Sequence, residues 1–182
     1  MRSALIVVDV QESFRQRPYW STEDLPEFTA SLQAVIDRAE VAKVPIVQVF
    51  HVESTGPFSL ESGYVRTLSE LRLQPSEVFH KSVHSALFGS NRLGQSVDYW
   101  LRSRGVERLV VTGIRTEQCC ETTTRHASDL GYKVSYALDA TLTFPMTTSA
   151  GRRVSSAEIR ERTELVLAGR FAEVVPGKAI SF

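Results

Sequence analysis

The stretch ERLVVTGIRTEQCCETTTRHASDLGYKVSYALD, from Glu107 to Asp139, sets the expectation for the fold. It begins with the β-branched run ERLVVTGI and ends with YKVSYALD, and both runs have the composition of buried strands. A segment of helical length lies between them and stops at Gly131, a residue type that commonly ends helices. A strand, a helix and a second strand in succession predict two parallel neighbours in one sheet.

The same alternation extends towards both ends of the chain. Further strand-like runs are SALIVVD (Ser3 to Asp9), VPIVQVFH (Val44 to His51), SEVFH (Ser76 to His80) and FAEVV (Phe171 to Val175). Helical spacing of apolar residues separates most of them, at Leu32, Val35, Ile36 and Ala39 and, less regularly, at Leu93, Val97, Trp100 and Leu101. Helix-end signals follow at Gly105 and Gly169, and Ser155 with Glu158 predicts a capping box.

This alternation predicts a three-layer α/β/α fold with a mainly parallel six-stranded sheet, covered by helices on both faces. We expect the strand order 3-2-1-4-5-6, in which strands one and four are neighbours. The length of 182 residues and an apolar content of 42% fit a single domain spanning residues 1–182.

Composition excludes several classes of protein. The 21 Lys and Arg residues balance the 21 Asp and Glu residues, so neither a nucleic acid nor a membrane surface is an expected partner. The apolar segment Ala4 to Val8 is far too short to span a bilayer, and we expect a cytoplasmic protein. The two cysteines are adjacent in sequence, so reduced thiols are expected.

Ligands of parallel α/β sheets collect at the carboxyl ends of the strands, which directs attention to residues just beyond each strand. Asp9 follows the first strand, Lys81 follows the third, and the turn from Thr112 to Cys120 follows the fourth. If Thr116 caps the next helix, Cys119 lies in its first turn, where free N–H groups and the helix dipole favour a thiolate. An acid, a cation and a thiol are therefore predicted at one edge of the sheet.

Each of these residues also has a structural interpretation. Cys120 is expected to pack as a small apolar residue, and Cys119 is either a core residue or a nucleophile. His126 lies seven helical residues from Cys119, roughly 10.5 Å along the axis, which is too far for direct proton transfer. Asp9 is then the candidate base and Lys81 the candidate cation for the thiol, although an Asp can cap a turn and a Lys is usually solvated.

Three motifs resemble those of the isochorismatase-like cysteine hydrolases, a family that includes nicotinamidases, N-carbamoylsarcosine amidases and ureidoacrylate-type amidohydrolases. LIVVDVQESF is similar to the family's D-x-Q-x-x-F and places the catalytic Asp at Asp9. HKSVHSALFGSNRL is similar to K-x-x-x-S-A-F-x-G-T-x-L and places the catalytic Lys at Lys81. VVTGIRTEQCCETTTRHASDLGY is similar to the cysteine motif and places the nucleophile at Cys119. The resemblance runs from about Ala4 to Val175.

The resemblance implies a cysteine-dependent hydrolysis of a C–N bond in a small amide, carbamoyl or ureido compound, through a thioester. Asp9 would take the Cys119 proton. A cis peptide bond between Ile114 and Arg115 would aim the N–H groups of Arg115 and Cys119 at the developing oxyanion. The alternatives are isochorismatase-type hydrolysis of a vinyl ether, which needs no cysteine, and a non-catalytic small-molecule-binding module on the same fold. The resemblance also implies a homodimer or homotetramer.

Departures from the family pattern narrow the expectation. The segment VFHVESTGPF offers His51 without the Asp and second His of metal-dependent nicotinamidases, so we expect neither a metal nor a cofactor. Arg115 stands where the family usually has a small residue, and it is predicted either to reach a substrate carboxylate or to lie in an oligomer contact. The long connection from Glu53 to Gln74 is predicted to hold one short helix and to serve as a lid or an oligomer contact.

The expected partner is a small-molecule substrate, and its contacts are assigned from position along the chain. Candidate substrate-binding residues are Gln11, Phe14, Phe50, Phe88 and Arg115, with Trp20 and Phe144 as further aromatic candidates. Aromatic residues at such places also serve as core, and Gln11 either orients the substrate or stabilises its own turn.

Two other protein classes show similar alternation of strands and helices. A receiver or flavodoxin-like module would carry an acidic cluster or a phosphate-binding loop after the first strand, and DVQESF offers neither. A redox protein would be expected to carry a C-x-x-C pair, which this chain lacks.

Overall fold

The computed structural model describes residues Met1 to Phe182, and its centre is a parallel six-stranded sheet. The strands are β1 (Ser3–Val8), β2 (Ile46–His51), β3 (Glu77–Lys81), β4 (Arg108–Ile114), β5 (Lys133–Leu142) and β6 (Glu173–Val175). In these labels the spatial order is 3-2-1-4-5-6, which confirms the predicted fold class and order. A two-stranded antiparallel hairpin, Met146–Thr147 with Arg153–Val154, stands apart from the sheet.

Four α-helices and several short 3₁₀ turns connect the strands. The helices are α1 (Leu25–Val41), α2 (Val97–Arg102), α3 (Glu121–Asp129) and α4 (Ser156–Leu167). The 3₁₀ turns are Glu12–Gln16, Gly56–Phe58, Leu60–Ser62, Ala86–Phe88 and Gly177–Ala179. No helix is both long enough and apolar enough to cross a membrane.

The helices cover the two faces of the sheet and bury a core on each. The strand β1 is buried along its whole length, with Leu5 and Val7 in the core beneath α1 and Ile6 and Val8 in the core beneath α2 and α3. Such double burial explains why the run reads as continuously apolar rather than alternating. Each fully buried Leu, Ile or Val stabilises the fold by roughly 1.5–3 kcal/mol.

The helical patterns in the sequence are largely confirmed. The predicted face of α1, formed by Leu32, Val35, Ile36 and Ala39, is completely buried. The predicted capping box of α4 is present, with Ser155 and Glu158 bonded reciprocally. Leu93 is a correction, because it lies before α2 in an exposed turn and not on the helical face predicted with Val97. The turn is stabilised instead by the Asn91 side chain, which accepts the N–H groups of Leu93 and Gln95.

Gly113 brings the ends of β1 and β4 into contact, and this positions the site. It pairs with Val8 and has a φ of 131°. A Cβ atom at this position would lie 2.0 Å from the carbonyl oxygen of Val8, so no other residue fits without moving a strand. The close approach places the residue after β1, Asp9, beside the turn after β4.

The connection between β2 and β3 is held against the rest of the protein. It contains two 3₁₀ turns where the sequence predicted one short helix. Phe58 and Leu68 are buried, and the Glu12 side chain accepts the backbone N–H of Ser69 at 2.9 Å. These contacts fix the segment on the turn that follows β1.

Candidate active site

Asp9 is the first residue after β1 and is fully buried. Its φ of 52° puts a non-glycine residue in the left-handed region, an arrangement that costs of order 1–3 kcal/mol and is concentrated at functional sites. The backbone N–H of Asp9 donates to the carbonyl oxygen of Val49 at 2.8 Å, which ties the turn to β2. The carboxylate therefore points from a rigid turn at the carboxyl edge of the sheet.

Lys81 ends β3 and carries its ammonium group across β2 to the centre of the site. Its side chain is fully buried, and Nζ donates to Asp9 Oδ2 at 2.7 Å. The same nitrogen lies 3.5 Å from Cys119 Sγ and 3.3 Å from His51 Nδ1. The structure thus brings the acid, the cation and the thiol predicted from sequence into one cluster.

Cys119 lies on a five-residue π-helical turn, Thr116–Cys120, that joins β4 to α3. The predicted cap at Thr116 is wrong, because the Thr116 hydroxyl bonds to the hydroxyl of Thr141 at 2.8 Å and α3 begins only at Glu121. The wider turn sets Cys119 before the α-helix instead of inside its first turn. Turns of this kind are frequent at functional sites.

The electrostatics of the thiol also differ from the sequence expectation. Burial, followed by the negative charge of Asp9, raises the pKa of Cys119 to about 12, and the nearby Lys81 only partly opposes this. The expected stabilisation of a thiolate by the first turn of the helix is therefore not found, because Cys119 lies before α3 and its burial favours the neutral thiol.

Asp9 is a candidate proton acceptor for that thiol, because its charge and a hydrogen bond both act on Cys119. Burial raises the pKa of the Asp9 carboxyl above its ordinary value, while the charge and hydrogen bond of Lys81 lower it. Only one oxygen of the carboxylate is bonded to Lys81, and the other, Oδ1, is buried without a partner of good hydrogen-bond geometry, although the Cys119 thiol lies near enough to lower the Asp9 pKa. A buried acceptor without a donor is rare and here has the chemistry of a base.

The remaining thiol and the nearest histidine in sequence do not enter the site chemistry. Cys120 is completely buried in the core beneath α3, and burial raises its pKa well above the ordinary value, as suits a packing residue. His126 Nδ1 lies 2.8 Å from Ser85 Oγ, and the imidazole ring makes a tilted contact with the ring of Phe88. The position of Cys120 agrees with its predicted packing role, and His126 is bonded to Ser85 and not to the cluster.

Ile114 and Arg115 are joined by a cis peptide bond, as the motif led us to expect. The Arg115 side chain is buried, pairs with Glu117 at 2.9 Å and lies over the rings of Tyr19 and Phe144. Arg115 Nε and Nη2 and Glu117 Oε1 nevertheless lack partners with good hydrogen-bond geometry. The side chain therefore has an internal charge partner at Nη2 and a donor, Nε, without an acceptor.

The Gln11 side chain is hydrogen-bonded mainly to backbone groups of the protein. Its side chain is fully buried, donates to the carbonyl oxygen of His51 at 3.0 Å and accepts the N–H of His51 at 2.8 Å. It also donates to Ser13 Oγ at 2.9 Å. This arrangement favours the turn-stabilising alternative for Gln11.

The three phenylalanines predicted to contact the substrate differ in their packing and in their exposure. Phe14 packs edge-on against Phe58 with ring centres 5.1 Å apart, and Phe50 stacks on His80 at 6.2 Å. Phe88 is two-thirds exposed. Phe14 and Phe50 are buried as core residues would be, and substrate contact by any of the three stays a prediction.

His51 is the member of the cluster that sequence reasoning missed. The sequence suggested His51 only as one residue of an incomplete metal site. Its contact with Lys81 depends on the position of β2 between β1 and β3. The position of His51 at the end of β2 is the signal that would have included it. No group of three or more His, Cys, Asp or Glu side chains is placed to hold a metal ion.

A groove on the surface lies apart from this cluster. It has a volume of about 440 Å³ and lies between α1 and α4, beside β6, where Phe28, Arg160 and Val174 are among its walls. None of Asp9, Lys81 and Cys119 lines it. The site is therefore assigned from side-chain chemistry and not from cavity size.

Comparisons with known proteins agree with this geometry. A family model described as the isochorismatase domain matches residues 3–164. Nicotinamidase 3 of Arabidopsis thaliana is 36% identical over 101 residues, 56% of this chain and 43% of that protein. The ureidoacrylate amidohydrolase RutB of Variovorax paradoxus is 36% identical over 91 residues, 49% of this chain and 34% of that protein. The matched regions span less than half the length of these two relatives.

Solved structures extend the similarity to nearly the whole chain. A putative isochorismatase from Burkholderia xenovorans has a TM-score of 0.84 and 31% identity, covering 97% of this chain and 84% of its own. The N-carbamoylsarcosine amidase of Thermoplasma acidophilum has a TM-score of 0.73 at 19% identity over the full length of both chains, a likeness of fold. Since the domain match extends from residue 3 to residue 164, the protein belongs to the isochorismatase family of hydrolases.

Proposed function

We propose that the protein hydrolyses a C–N bond in a small amide, carbamoyl or ureido compound, with Cys119 as nucleophile and a thioester as intermediate. The observation that carries this proposal is the buried cluster in which Lys81 Nζ lies 2.7 Å from Asp9 and 3.5 Å from the sulfur of Cys119. A nucleophile, a base and an orienting third group within reach of one another are the signature of covalent catalysis.

Proton transfer and attack form the first step. The Cys119 proton passes to Asp9, whose Oδ1 has no other partner, while the sulfur forms a bond to the substrate carbonyl carbon. The carbonyl electron pair moves to oxygen, where the proposed donors are the backbone N–H groups of Arg115 and Cys119. Oxyanion donors of this kind are worth roughly 2.7–4 kcal/mol in the transition state.

Expulsion of the amine and hydrolysis complete the cycle. The tetrahedral intermediate collapses, the C–N bond breaks and the leaving nitrogen takes the proton held by Asp9, which leaves a thioester on Cys119. Asp9 then removes a proton from water, the water oxygen bonds to the thioester carbon, and the C–S bond breaks. The sulfur recovers its proton from Asp9, so acid and base roles alternate at one carboxyl group.

The pKa values of the free protein fit this use of Asp9. A thiol whose pKa is raised to about 12 needs a base at the moment of attack, because little thiolate exists beforehand. Burial raises the pKa of Asp9, which makes it a stronger base than a solvated carboxylate. Lys81 limits that rise through its charge and its hydrogen bond, both of which favour the ionised carboxylate that the first transfer needs.

Support for the substrate class comes from the relatives and from Arg115. The relatives are named for nicotinamide, ureidoacrylate and N-carbamoylsarcosine, all of which contain a carboxamide, carbamoyl or ureido nitrogen. Arg115 Nε has no acceptor, and a guanidinium group with a free donor suits a substrate that carries a carboxylate. We therefore favour N-carbamoyl amino acids and ureido acids within the class.

The test is ammonia release from a panel of small primary amides, N-carbamoyl amino acids and ureido acids. We expect release by the wild-type protein and by Cys120→Ala, and none by Cys119→Ala. Release that survives in Cys119→Ala would overturn the cysteine mechanism. Hydrolysis of vinyl ethers by Cys119→Ala would support the isochorismatase-type alternative, and a panel that is bound without turnover would support a binding module.

A further inference from the structure

His51 contacts the ammonium group of Lys81 and completes its set of acceptors. An ammonium group has three donors, and three acceptors surround Nζ here. Asp9 Oδ2 lies at 2.7 Å, His51 Nδ1 at 3.3 Å and Cys119 Sγ at 3.5 Å. Two of the three belong to the proposed reaction, and the third has no part in it.

We propose that His51 is a positioning residue for Lys81. Its Nδ1 accepts a hydrogen bond from the ammonium group and so directs the other two donors at Asp9 and Cys119. The proposal rests on the proposed function, because it matters only if those two residues react. Without the imidazole acceptor, the long Lys81 side chain would have a buried donor to satisfy elsewhere.

The backbone of His51 is fixed by contacts on both sides. It is paired with Lys81 in the register of β2 and β3, so the two residues lie opposite one another. The Gln11 amide bonds to both the N–H and the carbonyl oxygen of His51. The ring meets Phe58 edge-on with centres 5.9 Å apart. A ring held in this way offers Nδ1 at a constant place, and Gln11 gains a role in holding it.

The protonation state of the ring agrees with an acceptor at Nδ1. Burial and the charge of Lys81 lower the pKa of His51 below its ordinary value, with a smaller effect of His84 in the same direction. Asp9 and Glu53 oppose the shift. At neutral pH the imidazole is therefore uncharged, and Nδ1 can accept when the proton is on Nε2.

The other ring nitrogen faces a carboxylate that is already engaged. His51 Nε2 lies 3.8 Å from Glu53 Oε1, and both oxygens of Glu53 accept from Arg17 at 3.0 and 3.2 Å. Arg17 thus neutralises Glu53 and weakens its pull on a second proton at His51. The Nε2–H tautomer is therefore the form in which Nδ1 accepts from Lys81 and the N–H group faces the Glu53 carboxylate.

The experiment compares two substitutions of His51, one that keeps a hydrogen-bond acceptor and one that only fills space. In His51→Asn the side-chain oxygen takes about the place of Nδ1, and in His51→Leu no acceptor remains. Each is combined with Cys120→Ala so that alkylation by iodoacetamide reports Cys119 alone. We expect His51→Leu to slow alkylation roughly 10- to 100-fold, the effect of losing a hydrogen bond to a buried charged group, and His51→Asn to stay within about threefold of the parent.

The matched controls are His80→Leu and His80→Asn, on the neighbouring strand, which are expected to leave the rate unchanged. Equal rates for His51→Leu and His51→Asn, whether both slow or both normal, would overturn the proposal. As a second measurement, NMR titration of His51 in Lys81→Met should show a raised pKa, and an unchanged pKa would also overturn it. Failure of the proposed function shows separately, as hydrolysis that survives Cys119→Ala.

Discussion

Lys81 Nζ lies 2.7 Å from Asp9 Oδ2, and both side chains are wholly excluded from solvent. Buried pairs of this kind seldom stabilise a fold, because removing two charges from water offsets much of their attraction. Here the pair is combined with a left-handed backbone at Asp9 and a carboxylate oxygen that has no well-aligned donor. Such accumulated local cost is typical of a site that is kept for chemistry.

Removing one partner of this pair should destabilise the protein, and removing both partners should cost less than the two single losses added together. Asp9→Asn or Lys81→Met alone leaves one buried charged group without its partner, and we expect a loss of about 3–5 kcal/mol in the free energy of unfolding. The double variant should lose clearly less than the sum. Asn tolerates the left-handed backbone of Asp9, so the comparison reports charge. Urea denaturation measures all three, and additive losses would contradict the account.

The two partners should move the thiol pKa in opposite directions. With Cys120→Ala as parent, Asp9→Asn removes a negative charge and should lower the pKa of Cys119, whereas Lys81→Met removes a positive charge and should raise it. The measurement is the pH dependence of iodoacetamide alkylation. The parent should become reactive only well above the roughly 8.5 of a free thiol. A parent midpoint below that value would show a resting thiolate.

Burial of Cys119 also predicts a loss of stability at high pH. Its pKa is raised in the folded protein from 9.0 to about 12, so its contribution to stability is complete below pH 9 and is lost as the pH rises towards 12. Cys119→Ser does not titrate and should lose less stability over this window. Urea midpoints at pH 7, 9, 10 and 11 test this, and parallel curves for both proteins would contradict it.

Gly113 should tolerate no side chain. In Gly113→Ala the new Cβ would meet the backbone of Val8, and we expect a loss above about 3 kcal/mol, the upper end for ordinary overpacking. Gly151→Ala is the control, because Gly151 also has a positive φ but has no atom within 4 Å of a Cβ. The control should lose only about 1 kcal/mol. Similar losses in both would assign the effect to backbone strain.

Arg115 should discriminate between substrates. Arg115→Gln removes the charge and is expected to raise KM roughly tenfold or more for ureido acids, as for loss of a charge-assisted hydrogen bond, with little change for neutral amides. Glu117→Gln is the control for the loss of their ion pair. Equal effects on charged and neutral substrates would remove Arg115 from substrate recognition.

The fold could be predicted from the sequence because local signals and burial agree. The β-branched runs and the apolar face predicted for α1 coincide with the buried residues of the core. Only β5 extends noticeably beyond its predicted end, to Leu142. The placement of Leu93 on the face of α2 was wrong, because an apolar residue at helical spacing does not indicate where its helix begins. The start was set by Ser96, whose side chain accepts the N–H of Tyr99.

The site residues could be predicted only where a chemically reactive side chain stands next to the end of a strand. Asp9, Lys81 and Cys119 each stand next to a strand end, so the topology brought them together. The thiol pKa could not be predicted, because it depends on burial and on the distance to Asp9, which only the folded chain defines. The contact of His51 with Lys81 depends likewise on the register of β2 and β3.

The most direct test of the central claim is the rate of ammonia release by Cys119→Ala, relative to Cys120→Ala, on the amide that the wild-type protein turns over fastest. The account predicts that Cys120→Ala keeps a rate close to wild type, while Cys119→Ala loses at least about 10³-fold, as expected when a covalent nucleophile is removed. Comparable rates in the two variants would contradict it, because the sulfur held by Lys81 and Asp9 would then play no part in the reaction.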